Sequence, residues 1–475
     1  MNPRTRVSGL CGWIVLWGAW SHVASDPAPR GSATTSFELA VSDERHYQES
    51  VYPMIIESLR EAERPLLILP GFMGSRLRDV EGLTGKTGGG GEMLWLDLGG
   101  RWDLDELAFG ETDSSGSPLH PEGTRDKSVQ SAPRVFERTI IADSLVDNGR
   151  EDGPYTGFVE RVSAVPFPFD WREDIRIEAR RLARFILDLE AQGVLNSQRR
   201  LSLVGHSQGS MVILDALGRE PRLSGLLEHV VLVAPPIHGT TTPLEALIDG
   251  KLARTHGIFR EATVRQTLST FPSVWQLLPA PRDLYPAVAT SSRFPERQIL
   301  YPLIIRPEKQ DTYSLGLWDG EERPIFLREL LSNARLFHEE KARYLPEVIE
   351  RYQGRLKVIV GIGIETRQRI LVRIPPVPRV LPIHQEESES FTIKSTRYGD
   401  GRIAFTASLL TGDLDRFHDY MAFQSPDPNV DLHSEILTYG RVQLAIQNIL
   451  HDIPVHATTR DDSPIGSFQL LDGSH

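Results

Sequence analysis

A single serine lies between two glycines in the stretch GHSQG, residues 205–209. The apolar run RRLSLV before it predicts a strand, and the run SMVILDAL after it predicts a helix. A strand-to-helix turn of this kind can present a serine hydroxyl as a nucleophile, and its glycines let the strand and the helix approach each other. Because both flanking elements are predicted, the pattern favours a nucleophilic Ser207 over a tight turn without chemistry.

A serine nucleophile needs a histidine to remove its proton and a carboxylate to orient that histidine. When the nucleophile lies at such a turn, the chain order is serine, acid, histidine, so both partners are sought after residue 207. Asp400 in the glycine-flanked RYGDGRIAF and His433 in DLHSEIL, just before an amphipathic helix, are the candidates. Spacing alone leaves other residues open as alternatives: Asp413, Asp415, His418, His451 and His456.

Acyl transfer to a serine also needs two backbone N–H groups aimed at the oxygen that becomes negative. One comes from the residue after the nucleophile, Gln208, and the other from the loop after an early strand. The loop LPGFMGS, residues 69–75, follows an early apolar run and nominates the N–H of Phe72. The alternative is that the glycines of this loop are ordinary turn residues.

The elements that position these residues are predicted from five apolar runs that end near Gly or Pro: RPLLILPG (64–71), VSAVPFPFDW (162–171), RRLSLVG (199–205), HVVLVAPP (229–236) and RLKVIVGIG (355–363). Runs of this kind are typical of strands buried on both faces. Between the second and third runs, apolar residues recur at helical spacing: Ile175, Ala179, Leu182, Ile186 and Leu189. Strand, helix and strand in this order predict an α/β fold with a mainly parallel sheet and helices on both faces.

One large domain is predicted, over residues 48–475. A chain of 475 residues with 40% hydrophobic residues can bury a large core. The segment from about 240 to 350 breaks the alternation, is mostly helical in pattern, and is predicted to form a cap over the carboxyl edge of the sheet. The stretches 82–92 and 110–123 are rich in Gly and Ser and predict loops.

The first 25 residues resemble an export signal, with basic MNPRTR, apolar VSGLCGWIVLWGAW and a cleavage site near Ser25. The apolar part, about 14 residues, is shorter than the roughly 20 residues that span a bilayer, which favours a cleaved signal. The alternatives are an uncleaved anchor and a buried segment. The single cysteine, Cys11, lies inside this signal, so no disulfide and no cysteine metal site is expected after cleavage. Residues 26–47 predict a flexible lead-in, and the protein is expected to be periplasmic or secreted.

Nucleic acid and nucleotides are not expected as partners. The formal net charge is −12, and the Lys and Arg residues are scattered along the chain. The stretch GLTGKT resembles a phosphate-binding loop, but Val80 stands where that loop requires a glycine. No cofactor and no metal is predicted.

Eight motifs follow one another along nearly the whole chain after the lead-in: LLILPGFMGSRL, LWLDL, PFPFDWR, VGHSQGS, APPIHGTTTPLEAL, TFPSVWQLLP, GDGRIAF and LHSEIL. In this order they resemble the lecithin:cholesterol acyltransferase family, with its phospholipid:diacylglycerol acyltransferases and lysosomal phospholipases A. The resemblance implies an α/β-hydrolase fold with a cap and lid, and an acyl-enzyme mechanism on lipid esters. By motif it places the nucleophile at Ser207, the acid at Asp400, the base at His433, and the oxyanion donors at Phe72 and Gln208.

The chain departs from the family in its lid. The resemblance implies a lid disulfide in the animal plasma members, which a chain with one cysteine cannot form. Trp95 and Trp102 flank the Gly-rich stretch where the lid would begin, and insertion at a lipid interface and buried packing are both open interpretations. Asp170, Trp171 and Arg172 match the family's DWR motif and are interpreted as mainly structural residues at the end of a strand.

Three functional hypotheses follow. The first is an exported lipid acyltransferase or acyl hydrolase with a lipid ester as donor, an alcohol or water as acceptor, and transient contact with a membrane or micelle. The second is an esterase or depolymerase that acts on soluble or polymeric esters, with water as the only acceptor. The third is a binding protein on a retained hydrolase fold, which the intact Ser, Asp and His set disfavours. Transfer and hydrolysis share one acyl-enzyme, so these residues do not decide between them.

Overall fold

The computed structural model describes residues 44–80, 92–95, 104–108, 140–146, 153–250, 259–285, 302–305, 312–313, 318, 327–372, 391–411, 420–455, 457–460 and 468–471. The following sequence predictions lie wholly or mainly outside these residues: the export signal, most of the lead-in, the loops 82–92 and 110–123, Trp102, Asp413, Asp415, His418 and His456.

The strands of the described residues are β1 (Leu66–Leu69), β2 (Ser75–Asp79), β3 (Glu92–Trp95), β4 (Ile140–Leu145), β5 (Val165–Pro166), β6 (Leu201–His206), β7 (Leu227–Val233), β8 (Leu303–Ile305), β9 (Leu356–Ile362), β10 (Thr366–Val372), β11 (Phe391–Thr396), β12 (Tyr420–Gln424), β13 (Ala457–Arg460) and β14 (Phe468–Leu471). The α-helices are α1 (Tyr52–Glu61), α2 (Thr156–Val162), α3 (Ile175–Ala191), α4 (Gln208–Arg219), α5 (Thr242–Asp249), α6 (Glu261–Ser269), α7 (Pro272–Gln276), α8 (Leu327–Arg351), α9 (Leu432–Glu435) and α10 (Gly440–Leu450).

In the described part of the chain, eight strands form the central sheet, in the order β13-β14-β12-β9-β7-β6-β1-β5. Seven of them are parallel, and β13 runs antiparallel to β14. At the centre, Leu67 of β1 is paired with Leu203 of β6, and Val204 of β6 with Val231 of β7. Each of the five apolar runs supplies a strand, so the predicted mainly parallel sheet is confirmed.

The two faces of the sheet bury two separate hydrophobic clusters. Successive side chains of a strand point to opposite faces. Leu67 and Leu69 of β1 therefore join a cluster with residues of α3 and α4, while Leu66 and Ile68 join a cluster with residues of α2 and α10. Helices cover both faces, as the sequence pattern predicts.

Helix α3 follows from its apolar spacing, and all five predicted core residues are buried: Ile175, Ala179, Leu182, Ile186 and Leu189. Its N-terminus is capped by Asp174, whose carboxylate accepts the Arg176 N–H at 2.9 Å. The run before it forms only the two-residue strand β5, although it predicts a longer one. Prolines 166 and 168 lack the N–H that a strand needs to pair with its neighbour, which limits its length.

The end of the predicted lead-in is folded. Residues 44–47 are helical and continue into a π-helical turn, Tyr47–Val51. The buried Tyr47 hydroxyl accepts the Ala142 N–H at 2.8 Å, and the Arg181 guanidinium lies 4.3 Å from the centre of its ring. The folded region therefore begins before residue 48.

Between β7 and β9 the chain forms α5 to α8 and the short strand β8, in the region predicted as a helical cap. Strand β8 pairs with β10, which pairs with β11, and a second small sheet has the order β3-β2-β4. Neither small sheet is predicted from the sequence, because strands such as TRQRILV carry too much charge to form an apolar run. Among the described helices, none has the length and apolar character needed to cross a bilayer.

Helix α8 buries a lysine among histidines. Lys341 is 2% exposed, and its Nζ lies 2.8 Å from Nδ1 of His338. His238 after β7 and Asp215 of α4 are the other titratable groups that act on this pair. Burial lowers the pKa of Lys341 to about 7, although the nearby Asp215 acts in the opposite direction.

We expect Lys341→Met to stabilise the protein by about 2–4 kcal/mol at pH 7 or below. The folded protein disfavours the ammonium form, so the unfolded chain binds more protons between pH 7 and about 10.4, and wild-type stability rises with pH across that window. The gain from the substitution should therefore shrink as pH rises toward 10. Denaturant unfolding at several pH values measures this gain in the free energy of unfolding. The control is Lys394→Met, for which no gain is expected because Lys394 is exposed. Equal stability of Lys341→Met and wild type at pH 6 would contradict the prediction.

Candidate active site

Ser207 occupies the turn between β6 and α4, with φ 51° and ψ −119°. A non-glycine residue at positive φ is strained and persists only where its surroundings hold it. The Ser207 N–H donates to the Val233 carbonyl at 2.8 Å, and the Ser207 carbonyl accepts the Ser210 N–H at 3.0 Å. This backbone is the geometry predicted for a nucleophile turn.

The glycines of GHSQG are required by close packing around this turn. A Cβ at Gly209 would lie 2.3 Å from the Pro70 carbonyl oxygen, and one at Gly205 would lie 2.7 Å from the Ser210 Cα. Both distances are shorter than real Cβ contacts. Any side chain at these positions would push α4 away from β1 and β6.

The structure brings Ser207, His433 and Asp400 together from three separate segments. Ser207 Oγ lies 2.9 Å from His433 Nε2, and His433 Nδ1 lies 2.8 Å from Asp400 Oδ2. Because a carboxylate oxygen accepts a hydrogen bond, Nδ1 carries the proton, which leaves Nε2 to accept the serine O–H. Ser207 remains 8% exposed, more than either partner. In this arrangement a histidine can take the proton of a serine hydroxyl.

Asp400 lies in a tight turn that fixes its carboxylate. Oδ1 accepts the N–H groups of Arg402 at 2.9 Å and Ile403 at 2.7 Å, while Oδ2 faces His433. The turn packs against the end of β9, where a Cβ at Gly361 would lie 2.6 Å from the Asp400 Cβ. Both carboxylate oxygens are held, so the group cannot rotate without breaking a hydrogen bond.

His433 lies on the short helix α9, which is tied to the Asp400 turn. The His433 N–H donates to the Asp400 carbonyl at 3.1 Å. Asp431 caps α9 by accepting the Ser434 N–H, and its carboxylate pairs with the Arg402 guanidinium at 2.6 Å. The Asp400 turn and α9 therefore form one connected unit.

Among the alternatives to Asp400 and His433, the structure describes only His451. Its side chain is exposed at the C-terminal end of α10. Of the candidates with described positions, Asp400 and His433 are the two that connect to Ser207. The described residues contain no group of three or more His, Cys, Asp or Glu side chains arranged to hold a metal ion.

Residues 69–75, here called the oxyanion loop after their predicted role, lie against Ser207. A Cβ at Gly71 would be 3.0 Å from the Ser207 Cβ. The Gly71 carbonyl accepts the Gly74 N–H at 3.0 Å. This carbonyl and the Phe72 N–H belong to the same peptide group, and in a trans peptide the two point in opposite directions. The Phe72 N–H therefore points away from the turn that Gly71 and Gly74 close. Gln208 supplies the first N–H of α4, which has no carbonyl partner one turn earlier in the helix. Gln208 and the loop that carries Phe72 are therefore both adjacent to Ser207.

The DWR residues form a buried support beneath the oxyanion loop. Two hydrogen bonds, at 2.9 and 2.6 Å, join the Arg172 guanidinium to the Asp170 carboxylate. The Trp171 ring packs edge-on against Phe72 with 5.0 Å between ring centres, and its Nε1–H donates to the Ser75 carbonyl at 3.0 Å. These contacts support the structural interpretation of the motif.

Trp95 is also buried, at 6% exposure. Its Nε1–H donates to the Met73 carbonyl at 3.2 Å, and its ring lies 5.5 Å from the Trp171 ring, centre to centre. Of the two interpretations of Trp95, the structure therefore favours buried packing over insertion at a lipid interface.

Sequence reasoning missed four side chains that hold the site: Tyr155, His206, Arg402 and Asp431. His206 directly precedes Ser207, and this position alone marks it as a candidate for contact with the site. Arg402 and Asp431 lie within two residues of the acid and the base. Tyr155 carries no such signal, because its contact with His206 joins residues 51 positions apart in the chain.

The sheet and the site together have the arrangement of the α/β-hydrolase fold, in which a serine turn follows a central strand and an acidic residue and a histidine come later in the chain. The family model of lecithin:cholesterol acyltransferase matches residues 141–309, which include the nucleophile turn. The chain is thus similar to this family, and the resemblance predicted from its sequence is confirmed.

Similar solved structures include a chain of the Tle4–Tli4 complex, at 13% identity and a TM-score of 0.45, covering 82% of this chain and 98% of that chain. The mature form of the Bacillus licheniformis lipase BlEst2 has 11% identity and a TM-score of 0.24, over 64% and 68% of the two chains. Its propeptide form has 14% identity and a TM-score of 0.21, over 45% and 32%. No curated protein sequence matches the chain.

Proposed function

We propose that this protein is a serine-dependent lipid acyltransferase or acyl hydrolase. The observation that carries the proposal is the continuous contact from Asp400 through His433 to the hydroxyl of Ser207. The lecithin:cholesterol acyltransferase match over residues 141–309 supports lipid esters as the substrates. Transient contact with a membrane or micelle, where such esters reside, belongs to the same proposal, as does export of the protein.

In the acylation step, Ser207 Oγ attacks the carbonyl carbon of the ester while His433 Nε2 takes the hydroxyl proton. The carbonyl oxygen becomes negative, and the N–H groups of Phe72 and Gln208 stabilise it. When the ester bond breaks, His433 gives its proton to the leaving alcohol oxygen. The acyl group is then bound to Ser207 as an ester.

In the second step, the oxygen of an alcohol or of water attacks the acyl-enzyme. His433 Nε2 takes the proton of that oxygen and then returns it to Ser207 Oγ as the acyl bond to serine breaks. Asp400 accepts the Nδ1–H throughout, so the imidazolium that forms in each step has a carboxylate beside it. The two acceptors give acyl transfer and hydrolysis from one intermediate.

We expect acyl transfer to a lipid or long-chain alcohol when one is supplied in micelles or vesicles, and hydrolysis when none is present. A positioned acceptor can reach effective concentrations of about 10⁵ M or more, so modest binding of an alcohol is enough to compete with water. The segment of about 240–350, which carries FPSVWQLLP, is the region expected to exclude water. The measurement is the ratio of acylated product to free fatty acid from one labelled phospholipid as acceptor concentration rises.

The control is the Ser207→Ala variant, which should form neither product. Free fatty acid without acylated product at every acceptor concentration would reduce the activity to that of a lipase or phospholipase. Turnover of soluble esters with none of the phospholipid would contradict the proposed substrate class and favour a simple esterase.

A further inference from the structure

Behind the nucleophile, buried groups form a continuous chain of hydrogen bonds that the steps above do not use. The Gly71 N–H donates to the Tyr155 Oη at 2.8 Å. Tyr155 Oη lies 2.8 Å from His206 Nδ1, and His206 Nε2 lies 2.9 Å from the His433 carbonyl oxygen. The chain joins the oxyanion loop to the base through the residue that directly precedes Ser207.

Each bond in this chain has one possible direction. The His433 carbonyl only accepts, so His206 Nε2 carries a proton and donates it. In neutral His206 the other ring nitrogen, Nδ1, is then an acceptor, so the Tyr155 O–H donates to it. The Tyr155 oxygen keeps a lone pair for the Gly71 N–H. Every donor thus has an acceptor.

The burial of both side chains keeps them neutral. Tyr155 is 5% exposed and His206 is 4% exposed. Burial raises the pKa of Tyr155, and burial together with the neighbouring His433 lowers the pKa of His206 to about 3. The hydrogen bonds from Gly71 through Tyr155 and His206 to His433 therefore keep the same directions across the pH range in which a histidine can act as the base for a serine.

At one end, this chain fixes the orientation of the oxyanion loop. The Gly71 N–H is bound by Tyr155, and the Gly71 carbonyl is bound by the Gly74 N–H. The two peptide planes that meet at Gly71 are therefore both held. The second of these planes carries the Phe72 N–H, one of the two proposed oxyanion donors.

At the other end, the chain fixes the backbone of the base. The His433 N–H donates to the Asp400 carbonyl, and the His433 carbonyl accepts from His206. The rings of His206 and His433 lie 5.1 Å apart, centre to centre. A neutral His206 also avoids a second positive charge beside the imidazolium that forms on His433.

We infer that Tyr155 and His206 are positioning residues that hold the Phe72 N–H and the His433 imidazole in a fixed relation to Ser207. This inference rests on the proposed function. The side chains act through the backbone of Gly71 and His433, so their removal should impair transition-state stabilisation more than substrate binding.

The test is Tyr155→Phe, which removes one oxygen atom and leaves the Gly71 N–H and His206 Nδ1 without a partner. We expect kcat to fall by about 10- to 100-fold with KM changed less than about threefold, as for a displaced oxyanion donor. The rate of fluorophosphonate labelling and the affinity for an alkyl boronic acid, which forms a negatively charged adduct with serine, should fall by similar factors.

The matched control is Tyr52→Phe. Tyr52 is another buried tyrosine, at 4% exposure, and its hydroxyl has no hydrogen-bond partner in the described part of the chain. This variant should keep wild-type kcat and labelling. A second variant, His206→Gln, should also lose kcat, and combining it with Tyr155→Phe should cost little more than either change alone, because both interrupt one chain.

A solely structural role would lower the unfolding temperature of Tyr155→Phe and leave kcat per labelled site unchanged well below that temperature. That result would overturn the inference, as would losses that multiply in the double variant. An unlabelled Ser207 in the wild type would instead contradict the proposed function itself, so the two failures are distinguishable.

Discussion

Ser207→Ala is expected to lower ester turnover by about 10⁴- to 10⁶-fold. The change removes the attacking oxygen and no other heavy atom. Ser207 Oγ has one described partner, His433 Nε2, so little packing is lost and the folded structure should persist. The loss of activity is measured as turnover of a labelled phospholipid. Mass spectrometry of the fluorophosphonate-treated protein should find the adduct on Ser207 in the wild type and no adduct in the variant.

Ser210→Ala is the matched control for this experiment. Ser210 lies three residues after Ser207, in the first turn of α4, and its hydroxyl donates to the Gly205 carbonyl at 2.6 Å rather than to the site. It should lose about 1 kcal/mol of stability and keep labelling at Ser207. Residual activity above about 1% in Ser207→Ala, or an adduct on another residue, would refute the assignment of the nucleophile.

His433→Ala should lower turnover by about 10³-fold or more and abolish rapid labelling of Ser207. Without the imidazole, Ser207 Oγ loses the one described group that can take its proton, and Asp400 Oδ2 loses the Nδ1–H that it accepts. Turnover and labelling are measured over a pH series. If direct attack by a serine alkoxide is the only remaining route, the residual activity of the variant should rise with pH.

His451→Ala is the control for the loss of a histidine, since His451 is exposed at the end of α10. It should change turnover by less than about tenfold. A fully active His433→Ala protein, or an inactive but folded His451→Ala protein, would show that the base has been misassigned.

Much of the fold can be predicted because its central strands are buried on both faces. Such strands leave continuous apolar runs: β1 and β9 lie wholly within runs of this kind, and β6 and β7 lie mostly within them. Helix α3 is readable from the 3.6-residue spacing of its buried face. The small sheets leave no comparable signal, because β2 places Leu77 between two arginines and β10 has two arginines among its first four residues.

The candidate site is predictable only in part. Ser207 has a local signature, and the order of Asp400 and His433 after it restricts the search, although spacing alone left other candidates open. The residues that orient the site act over long distances in sequence, and no local pattern marks them. The residues around Tyr155 in the sequence give no sign that it contacts Gly71, which lies 84 positions away, so only the structure identifies this contact.

The 226 residues that separate Ser207 from His433 have a consequence for biosynthesis. A chain that has been synthesised only as far as β9 already contains the complete nucleophile turn, but it has neither the Asp400 turn nor α9. The serine in such a chain remains an ordinary alcohol. If the protein acts on lipid esters as proposed, this order of synthesis keeps the emerging chain inert toward the membranes of the cell that makes it, with no separate inhibitory segment required. On that proposal, Ser207 becomes reactive only when the last quarter of the chain, which follows β9, has folded against it.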